Sequence, residues 1–332
     1  MKRIIFGLAL CLAVWGCSDD KTGGTVPPDP GPEPEVPTLA TSLAFGVPSV
    51  EFPSGGKTVD VAVVAEGGEW AVAETPDWLA VTPGEGKVTL TADDNRRGSL
   101  RSGKLRITGA ENVEASLDVS QGNGALILRL EVEAPATVAA IPLHGQVSCT
   151  IDWGDGAVES IDAKIDGLGI GHPSHEYAAA GTYRVSVSGT VPSLSSIKLT
   201  DDQALRLKAV EAWGATGLEK MQYAFYRCAA LESIPSPGPE APFARVTTFS
   251  KAFDSCDALR EIPADLFAGC TELTDLSSCF NDCDALKSIP EHLLDDCTGV
   301  EKLSSIFAYC RGLESVPGRL FAACSKVTDL GY

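Results

Sequence analysis

Leu273-Thr274-Asp275-Leu276-Ser277-Ser278-Cys279-Phe280-Asn281-Asp282-Cys283-Asp284-Ala285-Leu286-Lys287-Ser288-Ile289-Pro290 is the stretch on which the fold turns, because it recurs. Its Phe-x-x-Cys core appears at Phe225/Cys228, Phe253/Cys256, Phe280/Cys283 and Phe307/Cys310, in steps of 28, 27 and 27 residues. A second set, Phe267/Cys270, Leu294/Cys297 and Phe321/Cys324, interleaves with it. Ile234-Pro235, Ile262-Pro263, Ile289-Pro290 and Val316-Pro317 hold the same register, as do the leading residues Leu218, Val246, Leu273, Val300 and Val327. A fixed period of this length means stacked coils, each burying its apolar side only against its neighbours. The register slips once, at Ser236–Arg245, where Ser-Pro-Gly-Pro-Glu is inserted, so a bulge is expected there.

With the strand placed after each leading residue, two polar columns face outward on the concave side. One is Lys220, Thr248, Asp275, Lys302 and Asp329, and the other is Gln222, Ser250, Ser277 and Ser304. They form the candidate ligand-binding face, although a merely solvated face reads the same way. The columns contain no aromatic anchors, so weak or avid binding is expected. The unit as a whole resembles a leucine-rich repeat of the bacterial-surface, BspA-like kind over residues 201–332. That resemblance implies a concave strand in each unit and a short helical or 3₁₀ return after the proline. The chain stops at Tyr332 within a strand position, which fits either a longer array or an open end that pairs with another molecule.

The repeat also accounts for the cysteines. Of eleven, eight lie in the array. Column-mates on coils stacked ~4.8 Å apart fall within disulfide range, but their parallel Cβ vectors disfavour the bond. Buried thiols acting as small hydrophobes are the main expectation. Zinc would need C-x₂-C partner pairs, which the Cys279/Cys283 spacing does not supply.

Upstream, Leu43 to Gln121 alternates with period two (Val59, Val61, Val63; Leu105, Ile107; Leu117, Val119), with Gly and Asn/Asp turns between the runs. That is the pattern of a β-sandwich. The series Glu69-Trp70, Asp77-Trp78-Leu79-Ala80-Val81, Asn95, Arg101-Ser102-Gly103 and Val119-Ser120-Gln121 resembles a BACON domain, a family named for carbohydrate binding in Bacteroidetes. Trp70 and Trp78 read either as sugar-stacking platforms or as core residues, and the apolar neighbours Leu79 and Val81 favour core.

Residues 125–200 carry Asp152-Trp153-Gly154-Asp155-Gly156, His175-Glu176-Tyr177 and Gly181-Thr182-Tyr183-Arg184-Val185-Ser186-Val187. These resemble a PKD-like domain, which implies an immunoglobulin-type sandwich. His172, His175, Glu176, Asp152 and Asp155 can be drawn as a metal set, but the Pro173 loop offers no i,i+4 alignment, and turn aspartates with a packed histidine explain them equally.

The N-terminus is an address. Lys2 and Arg3 precede an apolar run, Ile4–Trp15, too short to span a bilayer, which ends at Gly16-Cys17. The junction resembles the lipobox of bacterial lipoproteins, with Cys17 as the acylated mature N-terminus; the Ser18-Asp19-Asp20-Lys21 patch resembles a Bacteroidetes surface-export signal. Six prolines between Pro27 and Pro37 make the next stretch an extended stalk. The organisation expected is therefore 1–16 signal peptide, 17–38 tether, 39–122 and 123–200 sandwiches, and 201–332 array, a mainly β protein.

Composition narrows the function. Over 332 residues, 26 basic residues against 45 acidic give −19, becoming −21 once Lys2 and Arg3 leave with the leader. A surface this acidic argues against nucleic acid and against electrostatic binding to anionic lipid. No G-x-S-x-G, H-E-x-x-H or P-loop motif is present, His292 lies five residues from Cys297, and Asp93-Asp94 and Asp295-Asp296 are adjacent turn pairs. No enzyme, metal or cofactor is expected. The sequence points to a lipid-anchored outer-membrane surface protein that recognises a host or bacterial protein or glycoprotein through the array. A carbohydrate-binding accessory role for the sandwiches and a structural envelope role are the alternatives.

Overall fold

The computed structural model describes residues 38–95, 101–110, 113–122, 124–166 and 171–331. The signal peptide, Cys17 and all of the tether except its last residue lie outside them. The chain divides into two units, Met1–Pro37 and Thr38–Tyr332, and every described residue belongs to the second.

The N-terminal half of that unit is mainly β, with immunoglobulin-like sandwiches. The first contains β1 (Ser42–Phe45), β2 (Ser49–Phe52), β3 (Lys57–Glu66), β4 (Ala71–Glu74), β5 (Leu79–Gly84), β6 (Lys87–Ala92), β7 (Arg101–Thr108) and β8 (Glu114–Gln121). They form two sheets, β1-β3-β6-β5 and β2-β8-β7-β4, antiparallel except for the parallel β2/β8 pair. The period-two residues Val61, Val63, Leu105, Ile107, Leu117 and Val119 meet Phe52, Val88 and Leu90 in one core. Alternation therefore selected the buried face correctly.

The second sandwich contains β9 (Leu126–Val132), β10 (Thr137–Ala140), β11 (Leu143–Asp152), β12 (Val158–Ile165), β13 (Ser174–Tyr177), β14 (Gly181–Thr190) and β15 (Ser193–Leu194). These are followed by α1 (Asp201–Leu205) and β16 (Leu207–Ala212). The main sheet runs β12-β11-β14-β9-β16, β15 pairs with β11, and β10-β13 forms the opposing layer. Trp153 is fully buried, and the Asp-Gly turn behind it is held by Asp152 Oδ1 accepting from the Gly154 N–H at 2.9 Å. Gly154 has φ +81°, and a Cβ there would sit 2.6 Å from the Arg184 carbonyl, so only glycine fits.

The boundary expected at residue 200 is not a structural break. β16 pairs antiparallel with β9, while Ala209 bridges in parallel to Ser233 of the first coil. Ser193 of β15 bridges likewise to Lys220. Two strands of the sandwich thus form the starting layer of the array, and one hydrophobic core runs from Leu126 to Cys324.

Beyond β16 few regular elements form. The expected strand shrinks to one bridging residue per coil, Thr248↔Asp275↔Lys302↔Asp329, all parallel. The expected helical return is a run of separate i+3→i turns after Pro263, Pro290 and Pro317, such as Leu293 N–H to Pro290 O and Asp295 N–H to His292 O, both at 3.3 Å. The reason is local. Tyr223, Lys251, Ser278 and Ser305 (φ 55–59°) and Arg227, Ser255, Asp282 and Tyr309 (φ 55–61°) adopt left-handed backbone, which ends an extended run within a few residues.

Stacking is nonetheless regular. Phe249 N–H reaches Asp275 O, Lys251 N–H Ser277 O, Phe253 N–H Cys279 O and Ser255 N–H Asn281 O, at 2.8 to 2.9 Å, and the next coil repeats the set. The rings of Phe225, Phe253, Phe280 and Phe307 stack 5.3 to 5.8 Å apart, within 7° of parallel. The nine described cysteines are free thiols. Cys256, Cys283 and Cys310 each donate to a phenylalanine carbonyl of the preceding coil (Phe225, Phe253, Phe280) at 3.0 to 3.2 Å. That contact explains a cysteine at this position: it is small and apolar, yet has one weak donor for a carbonyl that faces it.

The insertion after Ile234-Pro235 does more than bulge. Its 3₁₀ turn, Gly238–Glu240, reaches the first sandwich, where Glu240 accepts from the Ser54 N–H at 2.6 Å and the Ser54 hydroxyl at 3.1 Å. Phe243 folds back beneath it, fully buried against Trp213 and Phe249, with ring centroids 5.0 and 5.1 Å away.

Candidate functional site

The bridging ladder lines up four residues of the first predicted column, Thr248, Asp275, Lys302 and Asp329; the fifth, Lys220, bridges to Ser193, and the next residue, Met221, donates its N–H to the Thr248 carbonyl at 3.0 Å. Three of these five spend their side chains on their own backbone. Thr248 Oγ1 accepts from Ser250 N–H at 3.1 Å, Asp275 Oδ1 from Ser277 N–H at 2.9 Å, and Asp329 Oδ1 from Gly331 N–H at 3.1 Å. Threonine and aspartate occur there because such turns need a short acceptor. Lys220 and Lys302 are exposed and have no ion-pair partner among the described residues, so they carry the free charge of this face.

In the second column Gln222 is exposed, while Ser250, Ser277 and Ser304 are half-buried. Each of these serine carbonyls takes a hydrogen bond from the left-handed residue of the coil before, Tyr223, Lys251 or Ser278. The serine side chains are small because the coils approach closely here. The face is therefore a shallow strip of short hydroxyls between two free lysines.

Reasoning by columns missed what adjoins this strip. Tyr223 and Tyr226 form an edge-to-face pair with centroids 5.6 Å apart, and the Lys251 Nζ lies 6.0 Å from the Tyr226 ring. Each directly follows, or sits one turn after, a column residue; reading the neighbouring repeat position would have exposed the aromatics. Farther along, Asp254 is buried and accepts from Asn281 Nδ2 at 2.9 Å and from the Ser255 hydroxyl at 3.1 Å. Burial, with Asp282 and Asp284 nearby, raises the carboxyl of Asp257 above its ordinary range. Acidic side chains thus lie close to the basic and aromatic ones, Asp254 only 3.9 Å from Lys251 Nζ.

The deeply buried thiols of the array are poor nucleophiles. Burial pushes Cys228 and Cys270 up to about 12 and Cys256 and Cys279 well above the ordinary thiol value.

The other sequence candidates occupy structural positions. Trp78 packs against the first core, with Phe52 edge-on at 6.1 Å and the Arg101 guanidinium 4.8 Å above it. Trp70 also packs against that core, and its half-buried ring lines an open cleft of ≈ 490 Å³ with Glu69, Pro83 and Glu85. His175 stacks on Trp153 at 5.3 Å and meets Asp155 at 2.7 Å, a contact that holds the Asp155 carboxyl below its ordinary value. His172 instead bonds the Leu143 carbonyl at 3.1 Å, so the two histidines serve different partners.

Compared with known proteins, the chain matches no protein-family model and no curated protein. Among solved structures it resembles a chimeric titin Z1Z2 functionalized with a KLER exogenous peptide from decorin, at 15% identity and a TM-score of 0.18. The match covers 46% of this chain and 89% of that one. At that score the likeness carries no argument, and the sandwiches are read from their own strand pairing.

Proposed function

We propose that this is a non-enzymatic, lipid-anchored surface protein of the Bacteroidetes type, whose leucine-rich-repeat solenoid binds a protein or glycoprotein. In this reading a BACON-like and a PKD-like sandwich form the base of the head. The observation that supports it is the shallow polar strip on the ladder side of the array, bounded by Lys220 and Lys302 and backed by a continuous core. Stacked-coil proteins bind along such a face.

The test must keep the chain whole, since a cut at residue 200 severs β16 from β9. Full-length protein is screened against host-matrix proteins and a glycan array, with Ser277→Arg/Ser304→Arg crowding the strip and Trp70→Ala altering the cleft. Loss of at least about tenfold in affinity for a protein ligand in the double arginine variant alone is the expected result. Loss in Trp70→Ala alone, with a glycan ligand, replaces this reading with carbohydrate capture, which the open Trp70 cleft favours. For the anchor, Cys17→Ala should move the protein from the membrane fraction to the soluble one, and retention at the membrane refutes it.

A further inference from the structure

We infer that the corner where the second sandwich meets the first coil, centred on Tyr223 and Tyr226, is the docking point for an acidic segment of a protein partner. The inference rests on the protein-recognition reading above and gives that surface a partner chemistry.

The corner is held from beneath. Ser196 is buried, and its N–H donates to the Tyr223 carbonyl at 2.8 Å, while its hydroxyl lies 3.1 Å from the same carbonyl and 2.8 Å from that of Tyr226. The turn carrying both rings is therefore anchored to the segment after β15. The two rings meet at 80° and remain half-buried, each with surface left for a ligand. Tyrosines fixed in this way offer large contact area at small entropic cost, and with arginine they dominate the energetics of protein interfaces.

Charge selects the partner. Lys251 reaches over Tyr226, with its other neighbour, Asp254 Oδ2, 3.9 Å away. Lys198 and Lys220 are exposed and have no ion-pair partner among the described residues. Arg227 is held only by an open pair with Asp201 at 3.5 Å, which a carboxylate from outside can replace at little cost. Ile197, 47% exposed, adds an apolar edge. Of these four cations Lys251 and Arg227 are paired with Asp254 and Asp201, and on a chain of net charge −19 the two uncommitted ones, Lys198 and Lys220, draw an acidic partner to this corner. A strand cannot be added in this place, because the Tyr223 and Arg227 N–H groups already donate to Ser250 and Asp254. Recognition therefore falls to side chains.

The probe is a phage-displayed library of random dodecapeptides panned on the immobilised full chain. Selected peptides are then measured by fluorescence anisotropy on wild type, Lys220→Glu/Lys251→Glu, Tyr226→Ala and Lys302→Glu. The expected result is a set of acidic peptides. Their affinity falls at least about tenfold in the double-glutamate variant and in Tyr226→Ala, falls with added salt, and falls less in Lys302→Glu than in the double-glutamate variant. Lys220 is exposed and Lys251 half-buried, and neither belongs to the hydrophobic core, so the experiment stands even if Tyr226→Ala does not fold. Neutral or basic peptides, or no selection at all, overturn the inference. So does loss of affinity in Lys302→Glu alone, which leaves the protein-recognition reading intact but moves the site. Binding of polygalacturonate or heparin at the corner without peptide selection overturns both.

Discussion

Phe280→Ala is expected to cost about 3–5 kcal/mol, the range for emptying a fully packed phenylalanine site. Phe280 is fully buried, with Phe253 stacked at 5.3 Å on one side, Phe307 at 5.7 Å on the other and Phe267 at 6.3 Å. Phe280 packs between its counterparts in the repeats before and after it, so a void here weakens two interfaces at once. The backbone cannot easily collapse into it, because the N–H groups of Phe280 and Asp282 are tied to Ile306 and Ala308 of the next coil at 2.9 and 2.8 Å. Phe280→Leu retains most of the volume and should cost less than about 1.5 kcal/mol. Urea unfolding followed by tryptophan fluorescence reads the array through Trp213, which lies in the same core. A loss below about 1 kcal/mol for the alanine variant would mean that the ring column is not what binds coil to coil.

Which features were legible in the sequence depends on the distance over which each one acts. The phenylalanine column could be read because every coil repeats the same burial problem and solves it with the same residue. Val61 and Leu105 could be read because the two faces of a strand differ locally. In the column of Lys220, Thr248 and Asp275, the threonine and aspartate side chains fold back on their own backbone. A side chain that folds back on the amide two residues ahead, as Asp275 does to Ser277, looks identical in sequence to one that projects outward. The double pairing of β16 was hidden for another reason. Leu207–Ala212 joins β9 some eighty residues earlier and the first coil just after it, and neither partner leaves a local signal. The Tyr223–Tyr226 corner becomes a site only once Ser196 and Lys251 arrive from separate segments. The leading residue of each coil marked its position; the meaning of the neighbouring columns depended on what the stack brought beside them.

Glu240→Ala is the second large effect, and it should loosen one joint without unfolding either side of it. Ser54 and Glu240 lie 186 residues apart in sequence, and the carboxylate meets both donors of a fully buried serine. A buried donor left without its partner costs about 1–3 kcal/mol, more when the lost acceptor was charged, so two together are expected to cost about 2–4 kcal/mol. Water cannot simply replace the carboxylate, since the Ser54 hydroxyl is closed in from the other side by Gly124, whose missing side chain leaves room for it. Phe243 anchors the far end of the inserted segment in the array core and does not depend on Glu240, so the array should keep its unfolding midpoint. Hydrogen exchange should accelerate at Ser54 and across Gly238–Glu240 but remain unchanged at Phe253 and Phe280. Ser54→Ala removes only the hydroxyl share, and a double-mutant cycle with Glu240→Ala should return a coupling of at least about 1 kcal/mol. Zero coupling would mean that the two residues are neighbours but not partners. The slip in the repeat would then be only a tolerated insertion. With coupling, it is the contact by which the inserted turn ties the first sandwich to the repeats.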